Sequence, residues 1–240
     1  EDDEKRLFAR LSVFVGGFTI DAVEAVCAPG QAASDVLDGV TALEEKSLIS
    51  RRECASELRL FLLQTIREFA VERLDDTGET EALRRSHADF YLAVSETPAD
   101  MCNGKERFFW LDRFDREYPN IRAALGWLCS GANGQLGLGC ALARKLVWYW
   151  YARGLNREGL KWLELAMAGA GKEPSADLAR LVTFAGAFNY ELGDKDRGKK
   201  LLERALVMSR EVGDARTIAL SFQTYAEFAI DARESPMQKR

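Results

Sequence analysis

The run VWYWYARG at residues 147–154 gathers aromatic rings and a guanidinium into two helical turns. At helical spacing Trp148 and Tyr151 share one face, while Val147 and Trp150 lie on others. A helix with aromatic residues on every side is largely buried, so core packing is the first expectation. An aromatic face beside an arginine fork also suits a sugar, a peptide or an acidic group. On the first helix of successive helical repeats, that face carries Arg144, Trp148 and Tyr151, followed by Arg180, Thr183, Tyr190 and Glu191. These seven are the candidate residues for binding a ligand or partner.

Catalytic chemistry finds no comparable footing. Acid–base and nucleophilic schemes need a base oriented beside a nucleophile, or paired carboxylates in one cleft. Glu44-Glu45 and Asp75-Asp76 are sequence neighbours and so cannot share a pocket on a helix. There is no G-x-x-x-x-G-K-[ST] phosphate loop, and Gly16-Gly17 reads as a turn between helices. Cys27, Cys54, Cys102, Cys129 and Cys140 are odd in number and contain no C-x-x-C pair. They read as free, semi-buried thiols of a reducing cytoplasm rather than zinc ligands. No apolar run approaches the roughly 20 residues that span a bilayer. The chain is therefore expected to be a cytoplasmic non-enzyme with no catalytic, cofactor or metal residues and no membrane partner.

The elements that must position the candidates fall into two styles. Leu7, Leu11 and Phe14 predict a first helix, broken at Gly16-Gly17. Thr19-Ile20-Asp21 opens a second, closed by Pro29-Gly30. Ser34 caps a third, whose buried stripe is Val36, Leu37, Val40 and Leu43. Two β-prone runs, residues 47–53 and 58–63, flank ECASE and predict a hairpin. Thr65 and Glu68 fit a capping box for a closing helix, with Ile66, Phe69, Ala70 and Leu74 inward and Arg67, Glu68, Glu72 and Arg73 outward. Asp75-Asp76-Thr77-Gly78 stops it. Three helices, a hairpin and a closing helix make a winged-helix pattern. From residue 81 onward only helices are predicted, over 81–95, 105–116, 120–130, 136–153, 156–168, 175–192, 196–212 and 215–232.

The helical half repeats itself. GLNREGLKWLELAM (residues 154–167) aligns with GDKDRGKKLLERAL (residues 193–206) at an offset of 39, matching Gly154/Gly193, Gly159/Gly198, Leu163/Leu202, Glu164/Glu203 and Ala166/Ala205. Stacked helix hairpins need such a pattern: a glycine turns the chain, a second small residue allows close packing, and Leu and Ala bury against the next repeat. Gly186, Tyr190, Gly193, Gly198, Leu202 and Ala205 resemble the tetratricopeptide pattern, with a period longer than the usual 34 or so. The expected fold is mainly α: a winged helix over residues 1–78, a linking helical region over 79–135, and an α-solenoid of tetratricopeptide-like hairpins over 136–240.

Three stretches together carry a family resemblance: LFARLSVFVGGFTIDAVEAVC (residues 7–27), LRLFLLQTIREFAVERL (58–74) with ETEALRRSHADFY (79–91), and FFWLDRFDREYPNIRAALGW (108–127). They resemble the region that follows the nucleotide-binding domain in bacterial signal-transduction ATPases of the STAND/NB-ARC type, including LuxR-type multidomain transcriptional regulators. That resemblance implies a P-loop ATPase upstream, then a winged helix, then helical repeats. ATP or ADP is then expected only in the missing upstream domain. In some relatives the winged helix supplies a histidine to the nucleotide; here the one histidine, His87, lies outside it and reads as a surface or semi-buried structural residue.

A winged helix also raises DNA binding. Residues 1–80 carry a net charge of −8 and residues 81–240 carry +3. The third helix, which would read DNA, offers Asp35, Asp38, Glu44 and Glu45 against Lys46, whereas phosphate and base contacts favour cations. Arg51 and Arg52 read as a solvated wing tip. The expected function is a non-catalytic regulatory or sensor fragment of a multidomain signalling ATPase that regulates transcription. Its repeats receive a protein or small-molecule effector, and its winged helix contacts and relays to the ATPase. A stand-alone tetratricopeptide scaffold is the alternative, and direct DNA binding comes third. The opening EDDEKR, without an initiator Met, fits an excised piece of a longer protein.

Overall fold

The computed structural model describes residues 2–54, 57–96, 106–130, 135–170 and 173–234, with side chains through Phe228. Cys102 lies outside the described residues. The described chain is mainly helical, with eleven helices and one two-stranded sheet, and it divides into two compact units at residues 127/128.

The first unit runs α1 (Asp2–Leu11), α2 (Ile20–Cys27), α3 (Ala33–Glu45), β1 (Ile49–Cys54), β2 (Glu57–Leu62), α4 (Gln64–Thr77), α5 (Thr80–Val94) and α6 (Arg107–Leu128). The predicted hairpin is present: β1 and β2 pair antiparallel from Ile49↔Leu62 to Cys54↔Glu57. Phe18 adds a further bridge by exchanging backbone hydrogen bonds with Leu60, at 3.0 and 2.8 Å. Thr19 caps α2 by accepting from the Ala22 N–H at 3.2 Å, and Gly78 ends α4 at φ +71°. Phe14 and Phe18 stack at 4.4 Å, and Leu11, Val23, Val40, Leu43 and Leu60 are likewise buried.

Four local expectations need correction. Ser34 does not cap α3, which begins at Ala33 with Ala32 at the cap and no side-chain bond; the Ser34 hydroxyl donates to Asp35 instead. The Thr65–Glu68 capping box does not form, because α4 begins at Gln64 behind Leu63, and the Gln64 amide takes the Glu68 carboxylate at 2.8 Å. Leu37 and Phe69 are half exposed, while Arg67, expected outward, turns in to donate to the Phe14 carbonyl at 2.7 Å. Finally, the two helices expected over 105–116 and 120–130 are replaced, among the described residues, by a single helix α6 (Arg107–Leu128) that runs through Pro119. A Cβ on Gly16 would stand 3.0 Å from the Pro119 ring, so the bare backbone of the Gly16-Gly17 turn lets the proline pack. A Cβ on Gly17 would meet the Phe61 ring at 2.5 Å.

The second unit holds α7 (Leu136–Ala152), α8 (Asn156–Gly169), α9 (Ala176–Glu191), α10 (Lys195–Val212) and α11 (Ala215–Glu234). The offset of 39 reappears in backbone geometry. Leu155 N–H donates to Trp150 O at 2.7 Å, and Asp194 N–H donates to Asn189 O at 3.0 Å. Gly154 and Gly193 turn these hairpins at φ +68° and +95°, a region open to glycine at little cost. Gly198 lies so close to α9 that a Cβ there would sit 2.9 Å from the Gly186 carbonyl oxygen. Leu163, Leu202, Ala166 and Ala205 are all buried, as the repeat requires.

Candidate functional site

The seven candidates on α7 and α9 separate into three groups. Arg144 and Arg180 belong to a chain of ion pairs. Arg144 lies 3.5 Å from Asp177, Asp177 lies 3.5 Å from Arg180, and Arg180 donates to Asp214 at 2.9 Å. Asp214 also caps α11, accepting from the Thr217 N–H at 2.9 Å and from its hydroxyl. Hydrogen bonds from Thr217, followed by Arg180, hold the Asp214 carboxyl below its usual pKa. Asp177 and Asp214 escaped the sequence reading, although both stand at helix starts, where an acidic side chain complements the N-terminal dipole.

Thr183 and Tyr190 are spent on packing. Thr183 is fully buried; its hydroxyl donates to the Ala179 carbonyl at 2.8 Å and meets the Ser221 hydroxyl, which in turn meets Ser209 at 2.9 Å. Tyr190 is buried against the Phe228 ring and donates to its carbonyl oxygen at 3.1 Å. The Lys195 ammonium sits 4.8 Å over the Tyr190 ring. Trp148, Tyr151 and Glu191 keep access to solvent, Tyr151 at 59% exposure. Core packing therefore claims Val147, Tyr149 and Trp150 of the aromatic run, while Tyr151 stands free of it. What these candidates leave open to solvent is therefore the Trp148 and Tyr151 rings on α7 and the Glu191 carboxylate at the end of α9.

In the first unit, sequence reading missed a buried polar joint. Arg59 lies on the inner side of β2 and is 1% exposed. Its guanidinium forks onto Glu117 of α6 at 2.5 and 3.0 Å, and also donates to Glu57 at 2.8 Å and to the Gly17 carbonyl at 2.6 Å. Burial opposes its charge, but Glu117 and then Glu57 outweigh that effect and raise its pKa. Asn120, one helical turn beyond Glu117, accepts from the Val15 N–H at 2.8 Å and donates to Gly17 at 3.0 Å. The segment from Phe14 to Phe18 is thus held by side chains of β2, α4 and α6.

His87 borders this joint. It is 3% exposed, so it is a core residue rather than the surface or semi-buried one expected. Its ring lies 5.6 Å from Phe14 and 4.6 Å from Tyr91, and burial lowers its pKa to about 4. Burial, followed by the Glu117 charge, raises the Tyr91 pKa. These groups fix positions: the carboxylate is already forked by a guanidinium, and the imidazole is neutral among rings.

The remaining chemistry is equally local. Cys27 and Cys140 are buried, Cys54 and Cys129 are half-buried, and all four are free thiols. Burial raises the thiol pKa of Cys129 to about 11, away from thiolate chemistry. Among the described residues, no cluster of three His, Cys, Asp or Glu side chains could hold a metal, and no helix is long and apolar enough to cross a membrane. Asp35, Asp38 and Glu45 of α3 are exposed, and Lys46 is paired with Glu4. Arg51 pairs with Glu44 at 2.9 Å, and Arg52 lies 5.0 Å over the Phe61 ring.

No family model matches the chain. Among solved structures, a STAND protein with a tetratricopeptide repeat sensor from Pyrococcus horikoshii is similar at 15% identity, over 97% of this chain and 48% of that one, with a TM-score of 0.34. Among curated proteins, relatives from Mycobacterium bovis and from two strains of Mycobacterium tuberculosis are provisionally named HTH-type transcriptional regulators. Each is 37% identical over 228 residues, covering 89% of this chain. The chain spans about a quarter of the length of these relatives, so its similarity is to one segment of a much larger regulator.

Proposed function

We propose that this chain is a non-catalytic regulatory segment of a multidomain transcriptional regulator of the signal-transduction ATPase type, related to the LuxR-type members. The observation that carries the reading is its 37% identity, over 89% of its length, to proteins provisionally named HTH-type transcriptional regulators. The first unit acts as a winged-helix relay. Its support is the order of three helices, hairpin and closing helix, with the Phe14–Phe18 segment clamped by Arg59, Arg67 and Asn120. The second unit acts as a tetratricopeptide-like receiver for a protein or small-molecule effector, at the open face around Trp148, Tyr151 and Glu191. ATP or ADP belongs to an ATPase domain elsewhere in the intact cytoplasmic protein, and this segment itself binds no cofactor. DNA contact by this segment is disfavoured by the anions on α3.

The test is a chromosomal Trp148→Ala/Tyr151→Ala double variant in the intact regulator, compared with the wild type by transcript profiling and by protein level. A changed set of transcripts at unchanged protein level supports the reading. An unchanged profile, beside a changed profile on deleting the whole gene, removes the receiving role. The scaffold reading is favoured instead if deleting the gene leaves transcripts untouched.

A further inference from the structure

α8 and α10 border a cleft of about 370 Å³ floored by α9. Its lining includes Met167 from α8, Leu178 and Val182 from α9, and the charged side chains Glu164, Arg197 and Arg204. Leu178 and Val182 belong to a buried cluster with Ala205 and Met208, and the half-buried Met167 and Leu201 pack on it. On α10, Arg197, Leu201, Arg204 and Met208 recur at helical spacing, so a cation–apolar stripe runs along this edge.

The charges at the rim are unequal. Arg197 is satisfied by Glu164 at 2.5 Å, which closes one end with a neutral pair. Arg204 is exposed and has no ion-pair partner among the described residues. α10 carries six cations, Lys195, Arg197, Lys199, Lys200, Arg204 and Arg210, against three anions, a surplus of +3 on one helix of a chain whose net charge is −5. Val207, one turn past Arg204, is 56% exposed and extends the apolar strip outward.

We propose that this cleft docks an acidic amphipathic peptide segment of a protein partner. The partner's apolar side chains seat on the half-buried Met167 and Leu201 and the exposed Ala168, above the Leu178/Val182 floor, and its carboxylates pair with Arg204 and with Lys200 one turn before it. A nucleic acid is the poorer fit, because the floor is aliphatic and offers no aromatic ring on which a base can stack. This surface is distinct from the Trp148/Tyr151 face, and its test does not depend on that face.

The probe is a displayed library of random 12-residue peptides panned on the whole chain. Enriched sequences are then synthesised and measured by fluorescence anisotropy. The expected result is enrichment of peptides combining Glu or Asp with Leu, Ile or Phe. Arg204→Glu should weaken their binding by about tenfold or more, and Trp148→Ala should leave it unchanged. Arg204 is exposed and unpaired, so its variant should keep the wild-type melting temperature, and Arg204→Lys should retain most of the affinity. Four results would overturn the proposal: no enrichment, enrichment of basic or uncharged peptides, equal binding to Arg204→Glu, or displacement of the peptide by a single-stranded oligonucleotide at the same site.

Discussion

The guanidinium of Arg59 and the carboxylate of Glu117 form a forked ion pair, at 2.5 and 3.0 Å, across 58 residues of sequence and almost out of contact with water. Removing one partner leaves the other as a buried charge. Arg59→Ala should destabilise the first unit by about 3–5 kcal/mol, whereas replacing both partners with well-packed apolar residues, Arg59→Met/Glu117→Leu, should recover much of that loss. Urea denaturation of the intact chain, followed by circular dichroism, reads both values. Additive losses in the double variant would mean that the two side chains do not act as a pair.

Acid should weaken the first unit in two steps. His87 has a folded pKa of about 4 against an ordinary value of 6.5, so the unfolded chain binds the extra proton first. Stability therefore falls as the pH drops from about 6.5 toward 4, by about 3 kcal/mol in all. Glu79, hydrogen-bonded by Arg10 and then Arg6, titrates at about 2 when folded against 4.5, and its contribution is lost below that, between pH 4.5 and 2. Melting temperatures of wild type and His87→Gln between pH 7 and 4.5 isolate the first step. Parallel curves for the two proteins would count against it.

The repeat glycines should divide by mechanism. Gly198→Ala forces a Cβ onto the Gly186 carbonyl oxygen and the Tyr190 amide, both at 2.9 Å, and should cost about 1–3 kcal/mol by spreading α9 from α10. Gly193→Ala meets nothing within 4 Å and should cost only the strain of φ +95°, about 1–2 kcal/mol. Hydrogen exchange in α9 and α10 distinguishes them: Gly198→Ala should lower protection along both helices, and Gly193→Ala only at the turn.

Asp214 combines a cap with an ion pair, and two substitutions separate the roles. Asp214→Asn keeps an oxygen for the Thr217 N–H but loses the charge facing Arg180; Asp214→Ala loses both. The alanine variant should melt below the wild type, and the asparagine variant should lose much less. Equal melting temperatures for the two variants would assign the stability to the ion pair.

Thr65 makes no capping bond, so Thr65→Ala should change stability by no more than about 0.5 kcal/mol. A larger loss in thermal denaturation would restore the capping box as a real feature of α4.

Spacing within a single element was enough to read much of the fold, though not the Ser34 and Thr65 caps or the exposure of Leu37 and Phe69. The β1–β2 hairpin, the helical second unit, the turns at Gly154 and Gly193, and the buried Leu163/Leu202 and Ala166/Ala205 pairs all follow from side-chain periodicity and glycine's access to positive φ. Features that depend on a partner far along the chain were not legible in that spacing. Pro119 stays inside α6 because Gly16 leaves room for its ring. Arg67 turns inward because the Phe14 carbonyl needs a donor, and Thr183 and Tyr190 leave the candidate surface because Ser221 and the Phe228 carbonyl claim their hydroxyls. Nothing in the spacing of β2 marks Arg59; its role exists because Glu117 of α6 stands opposite it. The physical reason is common to all of these: local periodicity says which face of an element avoids water, but a buried polar group's role is set by the hydrogen-bond partner that the fold brings to it.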